Sequence, residues 1–246
     1  MKRAAIIGCG TIFQVHLPII VANPEIELCA VCDNNPAVQE KLPAAAKAVP
    51  FYTDYEELLE KEQLDAVHIC VPSYKHAELA IQAMNKGIDV LVEKPACLNE
   101  EDCERMLAAK EANHVSVMVG QVVRFFPEYR YLREAYKNQT FGKLKSLSMQ
   151  RLSGNVTWGY EDWFHDEEKS GSVVLDLHIH DLDFLRNTFG DPKEMSCTAT
   201  AYASGMVNQI ITNYTFDGVD APVDGSAVVL LAAKVLLQGL LLIFGD

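Results

Sequence analysis

The chain has 246 residues, 49% apolar and 22% charged, with 21 basic against 34 acidic side chains and a net charge of −13. This balance excludes a disordered, collagen-like or low-complexity chain, and an acidic chain without a basic run is not built to track nucleic-acid phosphates. The length allows one large domain or two small ones.

From Lys2 to Gly120 short apolar runs alternate with helical stretches. Strands are predicted at Arg3–Ile7, Glu27–Cys32, Pro50–Tyr52, Ala66–Val71, Ile88–Val92 and Ser116–Val119. Most are apolar throughout, as strands covered on both faces should be. Helices are predicted at Ile12–Ala22, Ala37–Ala48, Tyr55–Lys61, His76–Asn85 and Glu100–Asn113. Asn99 caps the last of these before an acidic first turn, and Gly87 closes the one before it. Such alternation implies an α/β fold, a Rossmann-type doubly wound parallel sheet with right-handed crossovers. Beyond a boundary near Val122 the pattern changes to α+β, with a mostly antiparallel sheet. Helices are predicted at Glu128–Lys137 and Val173–Phe189, and strands at Lys143–Arg151, Cys197–Ala203 and Gln209–Phe216. The domains are therefore read as 1–121 and 122–246.

The seven cysteines are scattered. Met1–Gly8 holds too short an apolar run for a secretory signal, so the expected setting is cytoplasmic with reduced thiols. Cys29 and Cys32 have redox spacing but lie on one strand, on opposite faces, and read as packed thiols.

Gly8-Cys9-Gly10-Thr11-Ile12-Phe13 follows the first strand and opens a helix. In that context Gly8 makes the tight turn, and Gly10 lets the backbone approach a pyrophosphate seated at the helix N-terminus beside Thr11 and Ile12. Asp33 ends the second strand, where a carboxylate accepts from ribose hydroxyls and repels a 2′-phosphate, favouring NAD over NADP. Phe13 stands where the fingerprint carries its third glycine. At the following strand ends lie Val71-Pro72, with His76 just beyond, and Glu93-Lys94-Pro95. Pro72, His76, Glu93 and Lys94 complete the expected cofactor-binding set.

In the second half, Asp176 and His180 are four apart on a helix apolar on most sides, so they share a face and should be buried and paired. An acid beside an imidazole supports proton transfer near neutral pH. Asp183, three residues beyond His180, is the alternative orienting acid. His165, Asp166, Asp176, His178 and His180 lack metal-ligand spacing, and no metal is expected.

The chain resembles the Gfo/Idh/MocA family (glucose–fructose oxidoreductase / inositol dehydrogenase) of NAD(P)-dependent oxidoreductases. The shared features are Gly8-x-Gly10 with His16, Asp33, Tyr52-x-Asp54-Tyr55-x-x-Leu58, Pro72 with His76, and Gly87 followed by Glu93-Lys94-Pro95. They continue through Arg124-Phe125, Phe141-Gly142, Ser170-Gly171, and Asp176 with His180, over about residues 3–217. The resemblance implies hydride transfer between a secondary alcohol of a sugar, cyclitol or related polyol and the nicotinamide. It assigns Lys94 to the nicotinamide ribose and substrate hydroxyl, His180 to general acid/base work, and Asp176 to its support. It further implies a homo-oligomer built through the second domain's sheet. A non-catalytic NAD-binding sensor, an inactive truncated member and an NAD-dependent glycoside hydrolase remain as alternatives. After Gly218 the likeness is expected to fade. The apolar run Ser226–Phe244 is interrupted by Lys234 and Gln238, so it reads as no membrane span but as an incomplete second domain, ending in a shifted reading frame.

Overall fold

The computed structural model describes residues 1–154, 156–217, 219, 223–230 and 237–245. The chain divides into two compact units, Met1–Gly120 and Gln121–Asp246.

In the first unit, β1 (Lys2–Ile7), β2 (Ile26–Cys32), β3 (Phe51–Tyr52), β4 (Ala66–Ile69), β5 (Asp89–Val92) and β6 (Val117–Val119) form one sheet. Its order is β3-β2-β1-β4-β5-β6, and every pairing is parallel. The order reverses between β1 and β4, so a ligand crevice opens at the carboxyl ends of those strands. The connecting helices are α1 (Phe13–Ala22), α2 (Ala44–Lys47), α3 (Tyr55–Lys61), α4 (His76–Met84) and α5 (Glu100–Asn113). Two apolar clusters cover the sheet. One gathers Ile7, Leu58, Ile69, Met84 and Val92; the other gathers Ile6, Phe13, Leu17, Ile20 and Val31.

Local chemistry accounts for the boundaries. Asn99 adopts extended dihedrals and its Oδ1 accepts the Asp102 N–H at 2.8 Å, starting α5. The single helix expected over Ala37–Ala48 is instead a 3-10 turn, Pro36–Lys41, followed by α2. Pro43 explains the break, because it offers no N–H and forces Leu42 into an extended conformation.

The second unit holds α6 (Pro127–Lys137), β7 (Lys143–Gly154), α7 (Glu167–Ser170), α8 (Ile179–Phe189), β8 (Glu194–Ala201), β9 (Val207–Thr215), β10 (Val223–Leu230) and β11 (Leu237–Gly245). The sheet order is β11-β7-β10-β9-β8, antiparallel except where β10 runs parallel to β7. Its core gathers Tyr129, Leu144, Leu147, Met149, Phe184, Leu185, Tyr214 and Phe216. Of the run read as the end of an incomplete second domain, residues 226–230 lie in β10 and residues 237–244 in β11, which flank β7 on both sides. Its apolar character is that of strands within a sheet. Among the described residues, no helix is long and apolar enough to cross a membrane.

Candidate active site

The first unit carries a loop shaped for a dinucleotide. Gly8 has φ +92°, and a Cβ there would lie 2.5 Å from the Cys70 carbonyl oxygen, so only glycine closes the turn against the end of β4. Gly10 is the opposite case: among the described residues, nothing lies within 4 Å of where its Cβ would be, which leaves that backbone open to a ligand. No side chain caps the start of α1 and no acid occupies its first turn. The Gln14 and Val15 N–H groups donate to the Thr11 and Ile12 carbonyls, so the backbone that an anion would meet lies just ahead of them, beside exposed Thr11 and Ile12.

Asp33 is fixed beside this loop. Its Oδ2 accepts the Cys9 N–H at 2.8 Å and its Oδ1 accepts the Asn35 N–H at 2.9 Å. A carboxylate has about four acceptor positions, so hydroxyl groups can still be bound. Phe13, in the third-glycine position, turns inward, fully buried against Leu17, Ile20 and Val31. The thiol of Cys9 is pushed up to about 12 by burial and by Asp33, which leaves it unreactive.

Pro72 and Glu93-Lys94-Pro95 follow β4 and β5 at the same edge of the sheet. The sequence places His76 among the cofactor-binding residues. His76 is buried, its Nδ1 2.6 Å from the Pro95 carbonyl and its Nε2 2.8 Å from the Val71 carbonyl. Both carbonyls are acceptors, so the neutral ring donates to one of them and lies against the other, packed between the turns after β4 and β5. Burial also pulls its pKa down. Glu93 is likewise buried, its carboxylate facing His16 and the Lys94 N–H. Lys94 itself is half-buried, and the Lys94–Pro95 peptide is cis. The fit to a dinucleotide rests on the glycine cradle, the uncapped helix and the placed carboxylate.

In the second unit the predicted helix Val173–Phe189 is interrupted. Val174–His178 form a π turn, and α8 begins only at Ile179. Before it, Gly171 has φ +68°, and a Cβ there would meet Leu175 at 2.6 Å, so the backbone needs glycine in Ser170-Gly171-Ser172. Asp176 lies within the π turn and His180 in the first turn of α8, both half-buried. Asp176, with His165, Ser172, Tyr202, Val207 and Asn208, lines a shallow open cleft; His180 is not among the residues that line it.

The neighbouring polar groups are structural. His178 is buried, its Nε2 2.9 Å from the Tyr214 hydroxyl, and burial lowers its pKa. Asp181 receives Arg151 Nη2 at 2.8 Å, in a pair almost entirely removed from solvent. Asp183, the alternative orienting acid for His180, is held by Arg124 through Nε at 2.6 Å and through Nη2. Among the described residues, no three His, Cys, Asp or Glu side chains gather to hold a metal ion.

Residues 2–121 match the oxidoreductase family with an NAD-binding Rossmann fold (GFO_IDH_MocA), and residues 129–238 match the GFO/IDH/MocA C-terminal domain. The chain belongs to the Gfo/Idh/MocA family. The second match passes Gly218, so the family likeness does not end where the sequence reading placed its end. The chain is 27% identical over 243 residues to scyllo-inositol 2-dehydrogenase (NADP(+)) IolU of Bacillus subtilis, covering 97% of this chain and 74% of that one. It is 30% identical over 198 residues to 2,7-anhydro-N-acetylneuraminate hydratase of Mediterraneibacter gnavus, covering 79% of this chain and 51% of that one. An uncharacterized oxidoreductase of Synechocystis, sll0816, is 28% identical and matched over 52% of its length. The chain thus spans about half the length of these last two relatives. In fold it is similar to the WlbA dehydrogenase of Bordetella pertussis, solved with NADH and UDP-GlcNAcA. That match has a TM-score of 0.88 at 22% identity and covers 100% of this chain and 71% of that one. The first unit of this family member is thus its NAD-binding Rossmann domain, matched over residues 2–121.

Proposed function

We propose that the protein is an NAD-dependent dehydrogenase acting on a secondary alcohol of a sugar, cyclitol or related polyol. The observation that carries this reading is the pairing of the open Gly8–Ile12 loop with Asp33, whose carboxylate is bound to the loop's own backbone. The loop and the start of α1 would hold the pyrophosphate, and Asp33 the adenosine ribose hydroxyls. A negative charge there disfavours a 2′-phosphate, which supports NAD over NADP. Domain 1–121 is assigned to the cofactor and domain 122–246 to substrate and to homo-oligomer formation through its sheet.

When bound, the nicotinamide supplies the hydride acceptor. Lys94 is assigned to orienting the substrate hydroxyl, and His180 to taking its proton, with Asp176 supporting the imidazole. His76 and Glu93 act on Lys94 by holding its turn. The inositol dehydrogenase name of the Bacillus relative supports a polyol substrate. The hydratase name of the Mediterraneibacter relative supports a second reading, turnover without net NADH formation. A polyol panel followed by NADH absorbance and by product chromatography tests both. NADH growth supports the dehydrogenase, product without NADH supports the second reading, and neither contradicts both.

A further inference from the structure

A polar cluster lies between the glycine-loop helix and the Lys94 turn. His16, on α1, donates through Nε2–H to Glu93 Oε1 at 2.7 Å, and its Nδ1 lies 3.0 Å from Nδ1 of His68 on β4. The two rings meet edge to face, with centroids 5.3 Å apart. The side chains of His16 and Glu93 are only 12% and 11% exposed. The other oxygen of Glu93 accepts the Lys94 N–H at 3.2 Å. Gly120, just after β6, makes the room: a Cβ there would stand 3.1 Å from the Glu93 carboxyl carbon and from both its oxygens. The carboxylate is thus held by a histidine on one side, a backbone N–H on another and a bare backbone on a third. His68, its pKa lowered to about 4 first by burial and then by His16, is neutral at neutral pH. With its Nε2–H given to Glu93, a neutral His16 presents an acceptor at Nδ1, and neutral His68 donates to it through Nδ1–H, completing the cluster without adding charge.

An apolar trio would fill this space at less desolvation cost. What the polar trio adds is direction. It joins the helix that carries the phosphate loop to the turn that carries Lys94.

We infer that His16 is a positioning residue for Lys94, acting through Glu93, so that the nicotinamide end of the cofactor site is aligned from the helix that takes the pyrophosphate. The inference rests on the NAD-binding reading proposed above. It separates two halves of the cofactor: ADP uses the loop and Asp33, whereas NADH also needs the Lys94 end.

The test titrates the full chain and its variants with NADH and with ADP, alongside thermal melting. His16→Leu, which removes the donor to Glu93, is expected to weaken NADH about 10-fold, the scale of one charge-assisted hydrogen bond, with ADP changed less than about twofold. His16→Gln, whose amide can donate to Glu93, is expected to recover most of the NADH affinity. Glu93→Ala is expected to resemble His16→Leu, and the double variant to be no worse than either single one, because both act along one path. If His16→Leu does not fold, Glu93→Gln, equal in shape but without the charge, is read in the same assay and should weaken NADH selectively. Equal loss of ADP and NADH, or a lower melting temperature with neither affinity changed, would overturn the inference by reducing His16 to a packing role. A folded wild-type chain that binds neither ligand would overturn the cofactor reading itself, and this inference with it.

Discussion

The carboxylate of Asp33 accepts the N–H of Cys9 at 2.8 Å, so the acid that ends β2 is tied to the backbone of the loop after β1. The contact aims one oxygen at the loop and leaves acceptor capacity for a sugar diol. Asp33→Ala should weaken NADH by about 10-fold through the loss of charge-assisted hydrogen bonds, and should narrow or reverse the preference over NADPH. Parallel fluorescence titrations with the two cofactors measure the ratio. An unchanged ratio would remove Asp33 from cofactor choice.

Gly8 and Gly10 should fail differently when changed to alanine. Gly8→Ala forces a Cβ to 2.5 Å from the Cys70 carbonyl at φ +92°, so both melting temperature and nucleotide binding should fall. Gly10→Ala meets no atom of the described residues within 4 Å and should melt as the wild type while binding NADH more weakly. Melting curves with and without NADH separate the two outcomes.

Arg151 and Asp181 are 4% and 2% exposed and 2.8 Å apart. Removing one partner leaves a buried charge uncompensated. Asp181→Ala should cost ~3–5 kcal/mol in the second unit, whereas replacing both partners with apolar residues should cost much less. Urea unfolding of the single and double variants tests the difference.

Acid should destabilise the fold through its buried histidines. His68 stays neutral in the folded chain down to about pH 4, while an imidazole in the unfolded chain takes up its proton near pH 6.5. Between these values the unfolded state binds more protons, so this stabilisation is complete above about pH 6.5 and is lost as pH falls towards 4. Its ceiling is ~3 kcal/mol for His68, and burial pushes His76 and His178 the same way. Melting temperatures from pH 7.5 to 4.5 should fall steadily, with a shallower slope in His68→Asn. A flat profile would contradict this assignment.

Lys94→Ala and His180→Ala are each expected to lower turnover at least ~100-fold, the low end for acid–base catalysis. NADH affinity should change far less in His180→Ala. Near-normal turnover in His180→Ala would remove it from the mechanism.

The parallel sheet was legible because its strands are short apolar runs punctuated by helix caps. Tyr55–Lys61 and Glu100–Asn113 match their predicted bounds because Asp54 and Asn99 start them with side-chain caps. The break at Pro43 was missed although the proline announces it. The π turn at Val174–His178 was hidden because a helix with apolar residues on most sides gives no periodicity to shift. Strands β10 and β11 were hidden because the run from Ser226 to Phe244 lacks the alternation of a half-exposed sheet. In the site, Gly8, Gly10, Asp33 and Lys94 could be placed by their positions at strand ends. The roles of His76 and Glu93 could not, since bracing depends on which carbonyls and rings the fold brings near. His68 carries a signal of its own, a lone polar side chain in the otherwise apolar Ala66–Val71 run.

The central claim is that the first unit takes up NAD through the Gly8–Ile12 loop and Asp33. Titration of the 246-residue chain with NADH and, separately, NADPH tests it most directly. The account predicts saturable binding with NADH preferred. A folded chain that fails to bind NADH, or that binds NADPH more tightly, would contradict it.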